Sequence, residues 1–257
     1  MKFILNLLPF RIKLSHFIMK YIPNFITSLN LASGFFAIIF AANGDLLNAS
    51  WLILAAMIFD FLDGFSARLL KAYSAVGKEL DSLADVVSFG VAPGIIIFQL
   101  LKNSLSLSEP VSLFSGGIPT MLILLIPAVM PVCAALRLAI FNLDTSQATI
   151  FKGLPTPANA LAVISVVIAG NYSQSPVFSS FIASPLLLII LTVSLSLLMV
   201  SRIPLLSLKF SNLKIKGNEG RYILVGMVLV SLPIAGIAAA TLIIPIYIIA
   251  SFLSMLF

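Results

Sequence analysis

Long apolar runs separated by short polar breaks make up most of this chain. They fall at approximately 23–43, 49–71, 78–101, 117–141, 156–172, 182–201, 221–236 and 238–256. Each approaches the ~20 residues a helix needs to cross the hydrocarbon, so the pattern predicts about eight transmembrane helices. The last two runs are nearly continuous, and the break between them is expected near Pro233 and Gly236. A closed β-barrel would show alternating segments of ~10 residues, and there are none. The opening MKFILNLLPFRIKLSHFIMKYIPN interrupts short apolar patches with basic residues and carries no small-residue cleavage site. It reads as an N-terminal amphipathic interfacial helix over 1–22, not a signal peptide. The expected fold is all-α: a polytopic membrane helical bundle forming a single membrane domain over 1–257. Residues 1–22 form its interfacial segment, 23–210 its core and 211–257 a C-terminal helical hairpin.

Composition sharpens this picture. The chain is 60% hydrophobic and 9% charged, with a mean hydropathy of +1.15, which excludes a soluble domain. Its net charge of +6 is scattered among the loops, so anionic lipid headgroups suit it better than nucleic acid. With eight crossings, fourteen of the fifteen Lys and Arg residues fall on one side, leaving only Lys102 on the other. The positive-inside bias therefore places both termini and the 70–78 turn in the cytoplasm. The single cysteine, Cys133, reads as a buried apolar side chain, and the lone His16 as interfacial.

Against this background, FDFLDGFSARLLKAYSAVGKELDSLAD (59–85) stands apart. Four of the nine acidic residues, Asp60, Asp63, Asp81 and Asp85, lie within it. An isolated carboxylate is costly in an apolar medium and needs a partner. Asp60 and Asp63 are three residues apart and share one helix face, which Gly64 and Ala67 continue as a groove. Asp81 and Asp85 are four apart on the next helix, with Gly77 one turn earlier on the same stripe. A short connection makes the two helices antiparallel neighbours whose aspartate faces can meet. Hard oxygen ligands of this kind suit Mg²⁺, Mn²⁺ or Ca²⁺, and four carboxylates are enough for two ions. Arg68 adds a fork suited to phosphate. Alternatively, the aspartates pair with Arg68, Lys71 and Lys78, or line a cation path.

Residues 60–85 read D-x2-D-G-x2-A-R-x8-G-x3-D-x3-D. This resembles the signature of the CDP-alcohol phosphatidyltransferases, membrane enzymes that act on CDP-linked lipids or alcohols and release CMP. The resemblance implies a helical membrane enzyme with a divalent-metal site for two ions, Mg²⁺ or Mn²⁺. It implies Asp60, Asp63 and Asp81 as metal ligands, with Asp85 as both ligand and catalytic base. Gly64, Ala67, Arg68 and Gly77 would line the cytidine diphosphate. At the start of the first run Thr27 could reach the nucleotide, as could Asn24, which helix capping explains equally well.

PNFITSLNLASGFFAI (23–38), DSLADVVSFGVAPG (81–94), ALRLAIFN (135–142), FKGLPTPANA (151–160) and SRIPLLSLK (201–209) resemble the integral-membrane phosphatidylserine synthases of bacteria and archaea. The implied reaction is transfer of the phosphatidyl group from CDP-diacylglycerol to L-serine by attack of the serine hydroxyl on the β-phosphorus. Implied partners are these two substrates and membrane lipids, with a homodimer and a prokaryotic cytoplasmic membrane as the setting. A zwitterionic acceptor needs a cation for its carboxylate, and Arg137, with Asn142 and Lys152 nearby in sequence, is the candidate set. Where the family often has a second basic residue in this stretch, the chain has Ile140. The alternatives are the same chemistry with glycerol 3-phosphate, inositol or choline, a divalent-cation transporter, or a non-catalytic scaffold. Transport would need polar residues continuing across the membrane, yet the second run reads WLILAAMIF before Asp60.

Overall fold

A computed structural model describes residues 21–107, 117–143, 151–173, 175–206 and 218–254. The interfacial helix expected over 1–22, apart from Tyr21 and Ile22, lies outside the described residues, as does His16. Nine helices follow in order: α1 (Ile22–Ala42), α2 (Leu46–Leu69), α3 (Ala75–Ser104), α4 (Gly117–Leu143), α5 (Thr156–Tyr172), α6 (Pro176–Ile182), α7 (Pro185–Val200), α8 (Glu219–Ala235) and α9 (Gly236–Leu253), among the described residues. Strands β1 (Phe151–Lys152) and β2 (Pro204–Leu205) pair antiparallel, with Lys152 opposite Pro204.

Each of the eight apolar runs is helical, and the fold is the expected all-α membrane bundle. The sixth run forms α7, and α6, which lies almost wholly before that run, meets α7 at 79°. Among the described residues five helices are long and apolar enough to cross a membrane, six if that bent pair counts as one span. The expectation of about eight is not reached because α5 and α8 have only 17 residues each. At 1.5 Å per residue they reach ~26 Å, short of the ~30 Å hydrocarbon. The break between the last two helices falls at Gly236, whose φ of 54° suits glycine, while Pro233 lies inside α8.

Lipid is as apolar as leucine, so membrane helices associate through small and polar residues that allow close approach. In α1 the buried positions are Pro23, Thr27, Asn30, Gly34, Ala37 and Ala41, one stripe at helical spacing. Phe25, Phe35 and Phe36 on the same helix point outward. α2 answers with Ala49, Ser50, Ile53 and Ala56, and α1 and α2 form the most extensive helix contact among the described residues. The central helix is α3, with 67% of its span buried against 28% for α1 and α2. Gly90 and Gly94 let α4 approach it. A Cβ on Gly90 would stand 2.9 Å from that of Ala134, and one on Gly94 would stand 3.2 Å from the Pro127 carbonyl oxygen.

Two local departures from regularity shape the site. Val86–Val91 of α3 winds as a π-helix directly after Asp85. There the Phe89 carbonyl accepts from Asn159 Nδ2 at 3.0 Å, and Ser88 Oγ donates to the Asn30 carbonyl at 3.0 Å. The second departure is the β1–β2 ladder. Gly153, at φ 76°, donates its N–H to the Ile203 carbonyl at 2.9 Å, and Leu154 donates to that of Leu198 at 2.9 Å. A Cβ on Gly153 would stand 2.5 Å from the Met199 carbonyl oxygen. The FKGLP and SRIP stretches, some fifty residues apart, are therefore one structural unit.

Candidate active site

Asp60 and Asp63 on α2 and Asp81 on α3 each bring a carboxylate oxygen within 4.8 Å of the other two. Among the described residues this is the only such acidic, histidine or cysteine cluster. The aspartate faces meet as expected, but the helices do not pack on one another there. Over 75–85, α3 packs on α1 instead, and the carboxylates project into the gap this leaves. Ser74 caps α3, accepting from Gly77 N at 2.9 Å. Asp63 Oδ2 and Asp81 Oδ1 are buried and lack any hydrogen-bond partner. Buried carboxylate oxygens left this way are costly. An all-oxygen donor set with two unsatisfied members fits a hard divalent cation.

Asp63 and Asp81 of the triad line a cavity of about 290 Å³ together with Thr27, Gly64, Ala67, Arg68, Gly77 and Lys78. A Cβ on Gly64 would meet no atom within 4 Å, so this glycine fronts open space in which a ligand can approach the backbone. Gly77 works differently. A Cβ there would stand 2.7 Å from Asn24 Oδ1, so Gly77 lets α1 and α3 converge at the cavity rim. Asn24 does not cap α1, whose N-cap is Tyr21; it lines the same cavity. Thr27 is buried beside Asp63 and donates to the Pro23 carbonyl at 3.0 Å.

Asp85 lies one turn further along α3 and is buried. It is not one of the three converging aspartates, although Asp60 and Asp81 are its electrostatic neighbours. Its Oδ1 accepts from Asn30 Nδ2 at 3.3 Å. A further electrostatic neighbour is Arg137, also buried, with Nε unpartnered and its guanidinium 5.9 Å from the Phe141 ring centroid. Arg137 in turn lines a second cavity of about 330 Å³ together with Ile140, Lys152 and Arg202. Asn142 is not part of it. Its Nδ2 donates to Ser82 Oγ at 2.9 Å and its carbonyl accepts from Lys78 Nζ at 3.1 Å, tying α4 to α3.

Residues 20–202 match the CDP-alcohol phosphatidyltransferase family. The chain belongs to that family. A CDP-diacylglycerol–serine O-phosphatidyltransferase of Bacillus subtilis (strain 168) is 35% identical over 185 residues, covering 72% of this chain and 89% of the relative. One of Helicobacter pylori (strain 26695) is 34% identical over 211 residues, 79% of this chain and 77% of the relative. An archaetidylserine synthase of Methanothermobacter thermautotrophicus is 33% identical over 170 residues, 65% and 66% of the two chains.

Within this CDP-alcohol phosphatidyltransferase, the structure brings together Thr27, Asp63, Gly64, Ala67, Arg68, Gly77 and Asp81 around one cavity, with Asp60 completing the triad. Of the three candidate acceptor contacts, Arg137 and Lys152 share a cavity and Asn142 does not. Two residues escaped the reading of the sequence. Arg202 reaches the second cavity only because β2 pairs with β1, and supplies a cation beside Ile140, where the local stretch lacks one. Asn30 holds Asp85, and the stripe Thr27, Asn30, Gly34 in an otherwise apolar helix was the signal that could have found it.

Proposed function

We propose that this chain transfers the phosphatidyl group of CDP-diacylglycerol to L-serine, giving phosphatidylserine and CMP. Family membership and the names of its relatives support the reaction. One observation supports the placing of the chemistry: Asp85 is an electrostatic neighbour both of the aspartate triad and of Arg137, which lines the second cavity. In this reading the cytidine diphosphate occupies the cavity lined by Thr27, Gly64, Ala67, Arg68 and Gly77. The diacylglycerol tails run toward an apolar cavity of about 480 Å³ that includes Met57, one turn before Asp60 on α2.

Serine sits on the other side of Asp85, its carboxylate facing Arg137, Lys152 and Arg202. Asn30 holds Asp85 Oδ1, and the carboxylate takes the proton from the serine hydroxyl. The serine Oγ–phosphorus bond forms at the β-phosphorus as the bond from that phosphorus to the CMP oxygen breaks. Asp60, Asp63 and Asp81, with Asp85 alongside, would hold Mg²⁺ or Mn²⁺, two ions at most, which when bound neutralise charge on the diphosphate. The bias of basic residues places this end of the bundle in the cytoplasm.

Arg202 raises the cations of the second cavity to three. That favours, as a second reading, a phosphorylated acceptor such as glycerol 3-phosphate. An acceptor screen decides between them. Purified protein, CDP-diacylglycerol and Mn²⁺ or Mg²⁺ are incubated with serine, glycerol 3-phosphate, inositol or choline, and CMP release is followed. Serine-dependent release is expected; release with glycerol 3-phosphate alone would overturn the serine assignment.

A further inference from the structure

The family match ends at residue 202, leaving α8 and α9 beyond it. α9 nevertheless grips the chain just past that boundary. Tyr247 Oη donates to the Leu206 carbonyl at 2.9 Å, and Leu206 N donates to Ser251 Oγ at 3.1 Å. Ser251 Oγ is itself fixed by donating to the Tyr247 carbonyl at 2.7 Å. Two side chains one turn apart thus hold both backbone polar groups of a single residue. Both are at most 5% exposed, so water does not compete for these bonds.

Leu206 directly follows β2, and β2 pairs Pro204 with Lys152 on β1. Arg202 lies two residues before β2. The two-residue ladder is too short to fix itself, since isolated strand pairs of this kind are marginal. Its other anchors are the Gly153 bond to the Ile203 carbonyl and the Leu154 bond to Leu198 at the end of α7. Tyr247 also neighbours Arg137, the third cation of the same cavity. Lys152 is thus paired with the strand that Leu206 ends, Arg202 precedes that strand by two residues, and Arg137 neighbours Tyr247 itself.

We propose that α9 sets the geometry of the acceptor cavity, with Tyr247 and Ser251 as positioning residues that hold β2, and through it Lys152 and Arg202, against Arg137. This rests on the reading of that cavity as the acceptor site. Neither residue lines the nucleotide cavity; Tyr247 also borders the apolar cavity given to the acyl tails, so Ser251 is the residue that isolates the effect on the acceptor.

The test compares full-length wild type with Tyr247→Phe, Ser251→Ala and, as a packing control on the same helix, Ile246→Val. Steady-state CMP release gives KM for serine and, separately, KM for CDP-diacylglycerol. Loss of one buried hydrogen bond predicts a rise of about 3- to 10-fold in the serine KM for Tyr247→Phe and Ser251→Ala. For Ser251→Ala the CDP-diacylglycerol KM stays within about twofold, and Ile246→Val moves neither. An unchanged serine KM in both variants overturns the proposal, as does an equal rise in Ile246→Val. Should wild type use another alcohol and not serine, the serine reading fails on its own. The KM for that alcohol then decides the role of α9 by the same criteria.

Discussion

Asp60 and Asp85 belong to one motif but sit in different surroundings. Asp60 shares the gap with Asp63 and Asp81, whereas Asp85 is buried and held by Asn30. Their replacement should therefore separate binding from chemistry. Asp85→Asn is expected to lose ~10²–10⁴-fold in serine-dependent CMP release, the usual cost of removing a general base, while still binding CDP-diacylglycerol in the presence of metal. Asp60→Asn should lose both, and chelation with EDTA should reproduce its effect on wild type. Measuring nucleotide-lipid binding and turnover on the same preparations checks this; near-wild-type turnover of Asp85→Asn would remove it as the base. These aspartates were legible from spacing alone, because i, i+3 and i, i+4 place side chains on one helix face whatever the rest of the fold does. Asn30 and Arg202 were not, because their partners are long-range.

At the scale of the element, the junction of α1 with α3 controls where Asp85 points. Gly34 meets Ser88 within the π segment, and a Cβ on Gly34 would stand 2.2 Å from Ser88 Oγ and 2.8 Å from Ser88 Cα. Backbone cannot yield as a flexible side chain does, so Gly34→Ala must push α1 from α3. The expected cost is ~1–3 kcal/mol, the usual range for overpacking. It should lower the thermal midpoint in detergent and weaken the Asn30–Asp85 bond, reducing activity further than stability alone explains. A variant as stable and active as wild type would show that this contact is slack. The helical runs themselves were readable from hydropathy. The π turn was not, since no local pattern in VVSFGV marks it; its displaced carbonyl is satisfied by Asn159, some seventy residues away.

For the whole molecule, the asymmetry of basic residues implies one orientation. Single cysteines introduced in the 205–217 segment should be labelled by an impermeant reagent only from the cytoplasmic side, and those at 105–112 only from outside. The native Cys133 is buried and contributes little background. Reversed labelling would put the aspartate triad on the wrong face for a cytoplasmic acceptor. Length and apolarity support five or six crossings among the described residues; because 205–217 lies opposite 105–112 only if α5 crosses, the same labelling tests whether that short helix spans.

The amino-acid sequence by itself determined the class of fold, the helical segments and the carboxylate stripe, because each depends on periodicity within one segment. Lipid compatibility and helix-face geometry are local properties. Tertiary structure alone decided that α2 and α3 leave a gap where the triad converges, and that Asn142 ties helices together. It also decided that Lys152 and Arg202 share a cavity with Arg137, and that the C-terminal helix holds the strand between them. Each of these depends on which backbones approach closely enough to pair or pack across long sequence separations. In a membrane the apolar faces do not select partners, so small residues and a few polar groups settle that choice.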